Sequence, residues 1–223
     1  MEKMVQITYN KRKHSDQFST LLQIVRCCGR YVLGDKMEED VVLFKKKLSD
    51  VSLNFTVYTE LFDSPEAVKA MNDFHPFIFG NYQKCLVDVL YLELTKLFDP
   101  QGKSGSKNLS FDFMISKVSK EHQTELRADL QELGKLFEEA NLKKYRNKLL
   151  AHNDVNALRG SKVIELRVTT LKLEMLLSSS WSLFGKIEYY LGITDRPYKT
   201  SSYIRLPTGS SVEEFVSKII KRT

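Results

Sequence analysis

The sequence predicts an all-α protein, an antiparallel helical bundle followed by a short, loosely packed C-terminal tail. Three observations carry this. Between residues 38 and 62 the apolar side chains Val41, Phe44, Leu48, Val51, Phe55, Tyr58 and Phe62 recur every three or four positions, one stripe at helical period. The stretch 77–98 is apolar nearly all round, which suits a central helix. Turn signals at Ser64-Pro65, His75-Pro76, Asp99-Pro100 and QGKSGSK (101–107) separate these helical stretches by short connections.

In chain order, residues 4–9 alternate weakly and are too short to define a strand. Residues 16–33 have helical spacing in Phe18, Leu21, Leu22, Val25 and Val32. After the 38–62 stripe, Ser64-Pro65-Glu66 offers an N-cap with proline at the first helical position. That helix should stop near His75-Pro76, because proline disfavours helical geometry in the residue before it. The 77–98 helix ends at Asp99-Pro100, and QGKSGSK (101–107) is the clearest loop. A short helix is expected over 110–117, another over 126–142 from Leu126, Leu130, Leu133 and Phe137, and a loop through 156–160. A long helix over 164–191 should present Ile164, Val168, Leu171 and Met175, then Trp181, Phe184, Ile187 and Leu191, to the core. Beyond Gly192 periodic apolar residues thin out, and 212–220 forms a last short helix capped by Ser210 or Ser211. The organisation is therefore one domain over 1–195 with a basic C-terminal extension over 196–223.

The 223 residues carry a formal net charge of +6, unevenly spread. Residues 143–172 hold eight Lys/Arg against two acids, and residues 35–66 hold four Lys against eight. A basic segment suggests an anionic partner such as RNA, against the alternative that these side chains simply solvate helix faces. Cys27, Cys28 and Cys85 form no disulfide framework and read as reduced core thiols. No spacing suggests a metal site or a cofactor loop. The longest apolar stretch contains Asp88, Glu93 and Lys96, so no membrane span is expected, and a cytoplasmic location follows from the reduced thiols and the lack of a signal peptide.

The stretch 143–154, KKYRNKLLAHND, is the one place where a guanidinium (Arg146), an amide (Asn147) and an imidazole (His152) fall within seven residues. These groups suit phosphate chemistry. Arginine offers a planar fork to phosphate oxygens, and histidine exchanges a proton near neutral pH. On one straight α-helix, residues six apart differ by about 240° in direction, so Arg146 and His152 would not converge. Either the backbone breaks near 143–147, or two copies of the chain meet. His14, His75 and His122 lack such surroundings and read as solvated or locally bonded.

YRNKLLAHND resembles the Arg–polar–spacer–His signature of the HEPN superfamily of α-helical RNA-cleaving and RNA-binding proteins. LYLELTKLFDPQGKSGSKNLSF (90–111) resembles its abortive-infection, AbiU-type branch. The resemblance covers about 60–195. It implies a HEPN-like bundle and a metal-independent endoribonuclease of the toxin/abortive-infection type, working from a composite cleft in a homodimer. Arg146, Asn147 and His152 would then be catalytic, while Lys143, Lys144, Tyr145 and Lys148 would bind RNA. For Tyr145 a packing role is the alternative, and for His152 capping or pairing with Asp154. The same resemblance admits a non-catalytic helical module that binds RNA or protein. It also admits a regulatory subunit pairing with a nucleotidyltransferase, or a toxin held by an antitoxin.

Overall fold

The structure is a computed structural model that describes residues 35–103, 105–150, 154–160, 165–198, 202–206 and 211–221. The expectations for 4–9 and 16–33, and for His14, Cys27 and Cys28, lie outside the described residues. Helix α1 is Asp35–Phe62, α2 Pro65–Phe74 and α3 Pro76–Lys96. A minimal hairpin of β1 (Gly102–Lys103) and β2 (Ser106–Lys107) follows, then α4 (Phe111–Ile115) and α5 (Lys120–Glu139). The chain continues through α6 (Leu142–Tyr145), a π-helical turn (Arg146–Leu150), α7 (Val155–Leu158), α8 (Thr170–Tyr190) and α9 (Val212–Ile220). The fold class is all-α, as the periodicity predicts.

The stripe on α1 is the backbone of the core. Val41, Phe44, Leu48, Val51 and Phe55 are all buried, and Phe44 meets Phe111 edge-on at 4.9 Å and Phe184 at 5.3 Å. The Trp181 indole N–H donates to Ser52 Oγ at 2.9 Å, satisfying two buried polar groups between α1 and α8. The α1–α2 and α2–α3 corners follow the caps in the sequence. Ser64 Oγ accepts from the Ala67 N–H, with Pro65 opening the helix. His75 ends α2 and caps α3, its ring accepting from the Ile78 N–H. His75 and His122 are both locally engaged, the latter stacked on Tyr190 at 4.0 Å.

Several expectations are corrected. Helix α3 is not central: Leu86, Leu90 and Leu94 are buried, but Phe77 is 81% exposed, and Ile78, Tyr82, Val89 and Cys85 also face outward. A helix apolar on every side carries no information about which side will be covered, and no described element covers this one. Among the long helices the most deeply set is α8, which buries Leu173, Leu176, Leu177, Trp181, Phe184 and Ile187. It starts at Thr170 rather than near 164, with Thr169 Oγ1 accepting from the Lys172 N–H. The β-branched run Val168-Thr169-Thr170 favours an extended approach to that cap. Trp181, Phe184, Ile187 and Leu191 are buried as predicted, but in the first turns Leu173, Leu176 and Leu177 form the core face, and Leu171 (65%) and Met175 (46%) are exposed. Ile164 lies outside the described residues. The 101–107 loop contains the hairpin, and the 156–160 loop contains most of α7.

The tail is also better anchored than its composition predicts. Tyr198 donates its hydroxyl to Glu188, the Ile204 N–H donates to Thr56 Oγ1 at 3.0 Å, and Ser202 is buried. Gly185 lets the tail lie against α8, since a Cβ there would sit 2.3 Å from the Tyr198 carbonyl oxygen. Amphipathic α9 adds Val216 and Ile219 to a second cluster with Leu61, Ala67 and Met71.

Candidate active site

Helix α5 ends in a left-handed residue. Asn141 has φ 57°, a conformation that asparagine tolerates better than most, and its N–H donates to the Glu138 carbonyl at 3.0 Å. Its side-chain amide donates to the Glu165 carbonyl at 2.9 Å, tying the extended approach to α8 across this corner. The chain then re-enters helix over only four residues before widening into the π-turn Arg146–Leu150. A π-helix bonds i to i+5, so it turns less per residue than an α-helix, and such turns recur at functional sites. The straight α-helix assumed in the 240° estimate does not exist here. The backbone departs from it at Asn141 and again at Arg146, and the phase argument against convergence within one chain lapses. Leu149 and Leu150 are half-buried rather than set in the core.

Arg146 is the first residue of this turn. Its Nη1 and Nη2 donate to Asp99 Oδ1 and Oδ2 at 3.0 and 3.1 Å, a two-point fork. Both side chains are about four-fifths buried, at 21% and 19% exposure. Arg146 Nε is buried as well and finds no acceptor among the described residues. Asp99 belongs to the Leu-Phe-Asp-Pro turn that ends the α3 segment, so the two stretches carrying the family resemblance meet through this ion pair. Sequence reasoning noted that turn without giving Asp99 a role. The signal that could have found it was a lone carboxylate at a helix end in a basic neighbourhood.

The remaining residues divide. Lys143 and Lys144 are exposed on α6 and pair with no carboxylate among the described residues. Lys148 donates to Asp154 at 2.6 Å, which reduces its charge available to a phosphate. Asn147 is exposed. Tyr145 is half-buried, edge-on to Tyr91 at 6.0 Å, and its hydroxyl donates to Asp88 at 3.3 Å, the geometry of a packing residue. Burial first, then Asp88, push its hydroxyl pKa up, and burial pushes that of Tyr91 up to about 12. Both therefore stay protonated donors at neutral pH. His152 lies outside the described residues. Among the described residues no three His, Cys, Asp or Glu side chains converge as a metal site, and no helix is long and apolar enough to cross a membrane.

Residues 35–200 match the family HEPN_AbiU2, described as AbiU2. The chain belongs to the AbiU2 family, an abortive-infection branch of the HEPN proteins. The match begins at residue 35 rather than near 60, so it takes in all of α1. No curated protein and no solved structure matches the chain. In this AbiU2 protein the arginine of the Arg–His signature thus opens a π-turn and is gripped by the carboxylate of the preceding helix–turn.

Proposed function

We propose that this protein is a metal-independent endoribonuclease of the toxin/abortive-infection type. The observation that carries the reading is the Arg146–Asp99 fork on the π-turn. A guanidinium has five N–H donors, and Asp99 takes one hydrogen from each terminal nitrogen, leaving the others directed in a fixed plane. A fixed donor set of this kind stabilises charge that develops on phosphorus-bound oxygens at little reorganisation cost. In the reaction, the ribose 2′-oxygen attacks the adjacent phosphorus while His152 removes its proton. The P–O5′ bond breaks, the 5′-oxygen takes a proton from an acid, and the products are a 2′,3′-cyclic phosphate and a 5′-hydroxyl. The His152 of a second copy supplies that acid in a homodimeric cleft, Asn147 holds a phosphate oxygen, and Lys143 and Lys144 hold flanking phosphates.

A second reading rests on the same contact. If Asp99 neutralises Arg146 for structure alone, the protein is a non-catalytic helical module that binds RNA or a protein partner such as an antitoxin or nucleotidyltransferase. Cleavage of a generic RNA with EDTA present, with mapping of the product ends, separates the two. The ribonuclease reading expects cyclic-phosphate ends and a loss of about 10²–10⁴ in rate for His152→Ala. It expects about 10²–10³ for Arg146→Ala. Wild-type toxicity on expression should disappear in His152→Ala. Cleavage that persists unchanged in both variants, or that EDTA abolishes, refutes it.

A further inference from the structure

We propose that the hairpin Gly102–Lys107 is an RNA-backbone-binding arm of the Arg146 site, with Lys103 as its principal phosphate contact; this rests on the ribonuclease reading above. Three observations support it. The first is position. Asp99, whose carboxylate holds Arg146, lies only four residues before Lys103, so their Cα atoms are at most about 14 Å apart. Lys143 and Lys144 lie two and three residues before Arg146 itself. Both halves of one ion pair therefore lead directly into a basic element.

The second is rigidity. The hairpin root is tied at several points: Asn108 Nδ2 donates to the Pro100 carbonyl at 2.9 Å, and the Asn108 N–H donates to the Gln101 carbonyl at 2.9 Å. The Gln101 N–H donates to Asp112 Oδ2 at 3.0 Å, and Arg127 holds the other Asp112 oxygen at 2.8 Å. Gly102 (φ 83°) is required by the turn, because a Cβ would stand 2.5 Å from the Ser106 carbonyl oxygen. Lysines displayed on a pinned ribbon lose less conformational entropy on binding than lysines on a slack loop.

The third is register. Gly102 faces Lys107 and Lys103 faces Ser106, so the two lysines leave opposite faces of the ribbon. Lys107 is exposed but engaged, with Nζ 5.8 Å from the Phe113 ring centre. Lys103 is exposed on the other face, and no carboxylate pairs with it among the described residues. From 100 to 111 the sequence holds no acid, so no carboxylate in the arm itself competes with a phosphate for Lys103. Two lysines, with no arginine, asparagine, glutamine or aromatic side chain from 102 to 107, suit the sugar–phosphate backbone of a single strand, contacted beside the scissile phosphate.

The test is fluorescence anisotropy of a labelled single-stranded RNA with the full chain carrying His152→Ala, titrated between 50 and 200 mM salt. Lys103→Gln should lower affinity and flatten the log–log salt slope by about 0.7, the value for one phosphate contact on a single strand. Lys107→Gln should do less, and Lys218→Gln, an equal charge change on α9, should do nothing. Gly102→Ala keeps both lysines but disturbs the ribbon, and should mimic Lys103→Gln. If the parent binds RNA with a clear salt slope and Lys103→Gln is indistinguishable from it, the arm proposal falls while the RNA reading stands. If the parent binds no RNA, or prefers an acidic polypeptide to RNA, both fall.

Discussion

Two largely buried carboxylates organise two regions of this molecule, and they are satisfied very differently. Glu188 on α8 is 2% exposed, takes Lys45 at 3.1 and 3.4 Å, and accepts from the Tyr198 hydroxyl. Burial, and then the bond to Glu188, hold that hydroxyl far above the ordinary tyrosine range, so it remains a donor. The network is closed. It joins α1, α8 and the tail. Asp99 is fully engaged too, but its partner Arg146 keeps a buried Nε with no acceptor among the described residues, on a backbone turn that is not α-helical. An unmade buried hydrogen bond costs about 1–3 kcal/mol. The Glu188 network engages each of its partners, whereas the Arg146–Asp99 pair leaves one buried donor, on irregular backbone, without an acceptor among the described residues.

The comparison can be broken at either end. The largest stability loss should come from Lys45→Met, which strands the buried Glu188 carboxylate. Lys45 is 40% exposed, so water already screens part of the pair, and the cost should fall at or below the lower end of the ~3–5 kcal/mol typical of such removals. Urea unfolding measures it, and a change below half a kcal/mol would mean that the network is not a tie. Next, Gly185→Ala should cost about 1–3 kcal/mol by forcing the Tyr198 backbone away, with faster proteolysis after residue 192 as the local sign. Unchanged stability and proteolysis would show that the tail is not held there.

Asp99→Asn should reverse this balance: about 1 kcal/mol of stability, but at least about tenfold in kcat with KM nearly constant, as the guanidinium loses its fixed plane. Activity equal to wild type would make the pair a structural tie like that of Glu188. Acid gives a smaller, reversible effect. The Gln101 N–H, and then Arg127 despite the opposing effect of burial, hold Asp112 below the usual carboxylate range. A depressed folded pKa contributes stability that is complete above the unfolded value of about 4 and fades as pH falls through the folded one. The hairpin root should therefore loosen only below about pH 4, read by amide exchange at Gln101, and Asp112→Asn should remove that pH dependence. Loosening already at pH 5–6 would contradict the assignment. Smallest of all, Leu171→Ser and Met175→Ser should each change stability by less than about 0.5 kcal/mol, because the α8 register turns them outward.

What sequence alone determined was whatever is encoded locally. The α1 stripe, the Ser64-Pro65 start and the His75-Pro76 break follow from spacing and from the φ restrictions of proline, and each stands where the pattern puts it. The Arg–His stretch could be singled out because residue types, unlike contacts, are written in order. Tertiary structure decided the rest. Which side of α3 is covered depends on neighbours far away in the chain, so Phe77 and Cys85 could not be known to be exposed. The start of α8 turned on the Thr169 cap together with an Asn141 bond from 24 residues away, which overrode an apolar period that begins at Ile164 in the sequence. The grip of Asp99 on Arg146 spans 47 residues. No local rule pairs a carboxylate in one turn with a guanidinium in another. That pairing needs α3 and the π-turn packed side by side, and packing is a property of the folded chain as a whole.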